Sequence, residues 1–134
     1  MRRIDLITQA CDPKTLTVGQ LLQDALFTCT AQTDALTIGR LMTKQNFGGL
    51  PVVAEDSSLV GLVTEYDLLQ AMIEGRDLRK VFASEIMTTQ PLTARENMTL
   101  EEVANLFQDR YVTRLPVVRG KQLVGIVARR DLLH

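Results

Sequence analysis

The phrase LVGLVTEYDLL at residues 59–69 returns as LVGIVARRDLL at residues 123–133, with seven of eleven positions identical and Leu62 changed only to Ile126. A chain that writes one phrase twice folds one unit twice, and this limits its architecture more than any composition does. The register extends well beyond the phrase. LPVV at 50–53 recurs at 115–118, a shift of 65. The same shift pairs Leu21-Leu22 with Ile86-Met87, Ala35 and Ile38 with Leu100 and Val103, and Leu41-Met42 with Leu106-Phe107. After LPVV the shift falls to 64, so one residue is lost between AEDSS and RGKQ. Both stretches are rich in turn formers, where a change of length costs least.

Each copy predicts the same elements. A short lead helix (TVGQLL, ASEIM) precedes a short strand (LFTCT, PLTA) and a helix of about three turns. Asp34 serves as N-cap of the first such helix. Thr99 and Glu102 form a capping box at the second. Ala35, Ile38, Gly39 and Met42 share one helical face, as do Leu100, Val103, Ala104 and Phe107. Two apolar strands follow, at 50–54 and 59–64 and again at 115–118 and 122–127, each pair joined by a tight polar loop. Pro51 and Pro116 are expected to open or border a strand at an edge. A second helix begins near Glu65 and runs to Gly75, and its counterpart begins near Asp131, where the chain soon ends. The predicted organisation is an N-terminal tail at 1–15, a first repeat at 16–75, a linker at 76–82 and a second repeat at 83–134. The fold class is α+β, with two β-α-β-β-α repeats. One such repeat of about 60 residues is marginal alone. Packing of the two around a pseudo-twofold axis is therefore expected, with ligand clefts where they meet.

Composition narrows the functions. Apolar residues make up 46% and aromatics 4%, so the core is built mainly from Leu, Val, Ile, Ala and Met. Met42, Met72, Met87 and Met98 are expected to pack in it. No apolar run approaches the roughly 18–20 residues of a membrane span, and the N-terminus does not read as a signal peptide, so a cytoplasmic protein without membrane insertion is expected. Cys11 and Cys29 form no CxxC, and His134 is the only histidine. No metal site is expected, and both cysteines read as structural. A nucleotide-binding GxxxxGK[ST] and a credible Ser-His or Cys-His pair are missing, so an enzyme is not expected. Net charge is −1, and the mildly basic stretch from Arg110 to Arg130 holds a single aromatic, Tyr111, rather than interleaved stacking aromatics, which speaks against nucleic acid.

The paired phrases GGLPVV…LVGLVTEYDLL and TRLPVV…LVGIVARRDLL resemble the cystathionine β-synthase (CBS) domain family, over about residues 16–133. Its repeats occur in tandem pairs called Bateman modules. The family phrase runs apolar strand, Gly, two apolar residues, Thr or Ser, two variable residues and Asp. Gly61, Thr64 and Asp67 match in full. Gly125 and Asp131 match in the second copy, but Ala128 stands where Thr or Ser is expected. The resemblance implies a standalone regulatory module. It implies binding of AMP, ADP, ATP or S-adenosylmethionine in the clefts, control of a partner enzyme or transporter, and a homodimer. A dimeric scaffold with empty clefts is the alternative.

Physical chemistry gives each letter two readings. Thr64 and Asp67 have capping-box spacing, and they also offer a hydroxyl and a carboxylate for a ribose diol or phosphate. The helix start at Glu65 presents backbone amides to an anion. Gly49 and Gly61 lack a Cβ, which allows a flat base or ribose to approach. Ala128 cannot cap, yet Asp131 persists, which favours the ribose role implied for this Asp. Arg114 and Arg130 are expected on phosphate, with Arg129 facing solvent or a partner. Tyr66, in the place of Arg130, either stacks on a base or covers the helix start.

Overall fold

The structure, a computed structural model, describes residues 12, 14–22 and 26–133. The expectations for Cys11, His134 and most of the 1–15 tail fall outside these residues. In chain order the elements are a 3₁₀ turn at Val18–Leu21, α1 (Ala35–Gln45), β1 (Gly49–Val53), β2 (Leu59–Thr64), α2 (Glu65–Ile73), a 3₁₀ turn at Leu78–Lys80, α3 (Ala83–Ile86), β3 (Thr88–Thr89), β4 (Ala94–Arg95), α4 (Leu100–Arg110), β5 (Arg114–Arg119), β6 (Gln122–Ala128) and a 3₁₀ turn at Arg129–Leu132. Helices and strands mix as an α+β fold.

The predicted caps start the long helices. Asp34 accepts from the Thr37 N–H at 2.9 Å and the Thr37 hydroxyl at 2.6 Å. Thr99 accepts from the Glu102 N–H at 3.2 Å, and Glu102 accepts from the Thr99 N–H at 3.0 Å. Hydrogen bonding to the charged forms holds Asp34 and Glu102 below their ordinary pKa values. These caps therefore stabilise the fold above the ordinary carboxylate range, and that contribution is lost as pH falls through the lowered folded value. Both helices end in the left-handed region, at Asn46 (φ 57°) and Tyr111 (φ 54°). Asparagine tolerates that conformation, and tyrosine does so at a cost on the order of 1 kcal/mol.

The chain forms two compact units. One holds Phe27–Pro91, with the antiparallel sheet β1-β2-β3. Its core contains Ile38, Leu50, Val52, Val63, Leu68 and Cys29. Burial pushes the Cys29 thiol up to about 11, so it is a packing residue with almost no thiolate at neutral pH. The other unit holds Leu92 onward with the described residues before Phe27. There β5 lies between β4, parallel to it, and β6, antiparallel. Val18, Val103, Phe107, Leu115, Val117 and Val127 fill its core. Both hairpins carry a register shift at the same place, Val52/Val53 and Val117/Val118.

Each lead segment sits with the other copy's sheet. In the Phe27–Pro91 unit, the Ala35 N–H donates to the Val81 carbonyl (2.7 Å) and the Ala83 N–H to the Thr33 carbonyl (2.9 Å). In the other unit, the Leu100 N–H donates to the Leu16 carbonyl (2.9 Å) and the Val18 N–H to the Met98 carbonyl (2.9 Å). These are the same bonds 65 residues apart. Periodicity shows that a lead segment is apolar, and it does not show which sheet the segment covers. The two glycines of the repeated phrase are the seats. A Cβ on Gly61 would collide with Met87 Sδ and lie 3.1 Å from the Thr88 carbonyl oxygen, and one on Gly125 would lie 2.8 Å from Leu22 Cδ1. Gly61 is thus occupied by packing rather than open for a ligand.

Other expectations change. LFTCT makes no strand, only an isolated parallel bridge from Cys29 to Val52, and PLTA shrinks to Ala94–Arg95. The pairing of β3 with β2 at Gly61 and Leu62 was not legible in so short and polar a segment. Pro51 lies inside β1, an edge strand whose outer side meets the Cys29 bridge. Pro116 lies inside β5, the middle strand, on the side where β4 has not yet begun, so its lost N–H breaks no rung. Met42 is buried, but Met72 is 57% exposed, because it falls on the outer face of α2. The second copy's last helix is a 3₁₀ turn that begins at Arg129, two residues before the expected start.

The seats predict a coupled effect. Gly61→Ala should destabilise the protein by about 1–3 kcal/mol, since the Thr88 backbone cannot retreat as a side chain can. Adding Met87→Ala should recover part of that loss in urea unfolding, and a strictly additive double variant would contradict the packing assignment.

Candidate functional site

Both repeated phrases end as a strand-to-helix junction. In the first, Thr64 is extended (φ −113°, ψ 168°) and caps α2. The Thr64 N–H donates to Asp67 Oδ2 at 2.8 Å and the Thr64 hydroxyl to the same oxygen at 3.1 Å. The Asp67 N–H reaches back to Thr64 Oγ1 at 3.4 Å. The first helical amide is also used, because the Glu65 N–H donates to the Gly48 carbonyl at 3.1 Å. Gly49, buried, pairs directly with Thr64 across the ladder. Gly49, Thr64 and Asp67 therefore come together at one junction. Tyr66 stands beside it, 74% exposed, and does not fold over the helix start.

The second junction keeps this geometry with other letters. Arg114 pairs with Ala128 as Gly49 does with Thr64. The Arg129 N–H donates to the Thr113 carbonyl at 2.9 Å, the counterpart of the Glu65–Gly48 bond. The Ala128 N–H donates to Asp131 Oδ2 at 2.8 Å. This corrects the inference drawn from the missing hydroxyl. Asp131 still caps the turn, through a backbone amide that no substitution at 128 other than proline removes. Persistence of Asp131 therefore does not by itself separate a ribose role from capping. Arg114 donates from Nη1 to the Thr113 hydroxyl at 3.0 Å. Arg129 and Arg130 are exposed.

Two points bear on anion binding. A first amide committed to the carbonyl just before a strand is one donor fewer for a phosphate, at both junctions. The turn Arg129–Leu132 is four residues long, so its dipole adds little there and positive potential comes from the arginine side chains. The carbonyls of Gly48 and Thr113 were not singled out from the sequence, since a main-chain acceptor has no residue signature. Among the described residues no group of three or more His, Cys, Asp or Glu is placed to hold a metal ion, and no helix is long and apolar enough to cross a membrane.

The caps differ by one hydroxyl, and this is measurable. Thr64→Ala should cost about 1 kcal/mol in chemical unfolding, the usual loss of a capping hydroxyl. Asp131→Ala should destabilise as well, through the Ala128 amide bond, and an unchanged unfolding midpoint for Asp131→Ala would contradict that bond.

The CBS-domain profile matches residues 18–74 and 83–134. The chain is 40% identical over 93 residues to the CBS domain-containing protein YhcV of Bacillus subtilis, covering 69% of this chain and 65% of that protein. It is 30% identical over 124 residues to the uncharacterized protein MK0525 of Methanopyrus kandleri, covering 90% of this chain and 63% of that one. The chain thus spans just under two thirds of the length of these two relatives. Among solved structures, it is similar to the CBS domain pair of protein MJ0100 in complex with 5′-methylthioadenosine and S-adenosyl-L-methionine (TM-score 0.79, 28% identity, 89% of this chain and 94% of that one). It is also similar to CBSX2 in complex with AMP (TM-score 0.76, 30% identity, 88% and 93%). With two profile matches over most of its length, the chain belongs to the CBS-domain family and carries a tandem pair of its repeats.

Proposed function

We propose that this chain is a regulatory sensor, without catalytic activity, that binds an adenosine-containing molecule at its two strand–helix junctions. The candidate ligands are AMP, ADP, ATP and S-adenosylmethionine. The observation that carries the reading is a junction built twice with the same ladder pairing, the same first-amide bond and the same carboxylate cap, in a chain similar to pairs solved with AMP and with S-adenosylmethionine. Asp67 caps through Oδ2 in both of its bonds from Thr64, and Oδ1 is the oxygen suited to a ribose hydroxyl. Asp131 takes the same role at the second junction. Thr64 and the buried Gly49 border the first, and Arg114 and Arg130 face a phosphate at the second. Occupancy acts on a partner enzyme or transporter through a change in conformation, worth at most the ligand's difference in affinity between two states. The protein works in the cytoplasm.

Ligand binding should raise the melting temperature in a concentration-dependent way. At ten times Kd the gain is about 1.4 kcal/mol, or roughly 4 °C for a chain of this size. Unchanged melting with all four ligands near millimolar concentration would leave the scaffold reading.

A second observation supports the homodimer shared by both readings. Tyr66, Leu69, Met72 and Ile73 lie 55–79% exposed on one face of α2. Four large apolar side chains on a nine-residue helix suit a second copy better than water. Ile73→Asp should shift the sedimentation mass from two chains to one, and a wild type that sediments as one chain at high micromolar concentration removes the dimer from both readings.

A further inference from the structure

Building on the adenosyl reading, we infer that the two junctions sort ligands by charge: the second takes a phosphorylated nucleoside, and the first a neutral or cationic adenosyl sulfur compound. The frame is common to both. The strand pairs Gly49↔Thr64 and Arg114↔Ala128 are equivalent. The first-amide bonds are 3.1 and 2.9 Å, and the carboxylate-to-amide bonds are both 2.8 Å. A ligand of one shape therefore meets the same backbone at either place. The side chains on that frame differ in formal charge, from −2 (Glu65, Asp67) to +2 (Arg114, Arg129, Arg130, Asp131).

The lone hydroxyl difference follows the same division. Thr64 offers an oxygen at the first junction, and Ala128 offers none at the second, where guanidinium groups are the donors. An anion near Arg129 and Arg130 is attracted by both guanidinium charges, to a degree that falls with solvent exposure and salt. The same anion beside Glu65 and Asp67 is repelled to a comparable degree. A sulfonium or uncharged thioether reverses the preference. Arg129, Arg130, Glu65 and Tyr66 are all exposed, so exchanging their letters leaves both cores intact.

That exchange is the test. Calorimetry would use AMP as the anionic probe and 5′-methylthioadenosine as the neutral one, on the full chain and two variants, with circular dichroism confirming each fold. Arg129→Glu with Arg130→Tyr should weaken AMP binding roughly tenfold or more and leave 5′-methylthioadenosine within about threefold. Glu65→Arg with Tyr66→Arg should add an AMP site, raising the stoichiometry from one to two. Variants that change both probes in parallel, or leave AMP unchanged, overturn the sorting and spare the adenosyl reading. A wild-type chain that binds neither probe overturns both.

Discussion

The structure depends on the seat that each repeated phrase offers to a lead segment. A three-stranded sheet with one long helix leaves an apolar face uncovered. Val18 and Leu22 pack against it in one unit, and Val81 and Ala83 in the other. Val18 and Leu21 are essentially inaccessible, so each contributes about 1.5–3 kcal/mol by burial. The approach is close: a Cβ would meet Met87 and the Thr88 carbonyl at position 61, and the Leu22 side chain at position 125. Gly61 and Gly125 are therefore structural in the first instance, and the LVG of the phrase is where two distant stretches of chain meet. The strand register places Thr64 and Ala128 at the ends of their strands.

The carboxylate at each junction has a comparable double use. A side chain that caps its own helix is held in one rotamer by bonds to the backbone. Asp67 accepts both Thr64 donors on a single oxygen, which fixes where the other oxygen lies. A preorganised acceptor loses less conformational entropy on binding than a free one. Capping and ligand recognition are in this respect compatible, and where alanine replaces threonine at 128 the backbone amide still donates to the second carboxylate.

The long helices, both hairpins, the Asp34 and Thr99 caps and the location of the junctions were legible in the sequence, because each rests on a local pattern of period, cap or turn. What was not legible is non-local. Leu22 and Met87 look like ordinary apolar residues, and nothing in their neighbourhoods names the sheet they cover. The single bridge at Cys29 replaces an expected strand because pairing requires a neighbour in the right register as well as a β-forming stretch. Met72 reads as a core residue by type, but its position on α2 turns it outward. At the junctions the residues were legible and their bonds were not. The Gly48 and Thr113 carbonyls and the Ala128 amide do their work through the main chain.

The central claim is that an adenosyl ligand binds against these junctions. Amide chemical-shift mapping of the ¹⁵N-labelled chain during AMP titration tests it most directly. Saturable shifts should concentrate at residues 113–114 and 128–131, with smaller ones at 48–49 and 64–67. Saturable shifts confined to other surfaces, or none at millimolar AMP and millimolar S-adenosylmethionine, would contradict it.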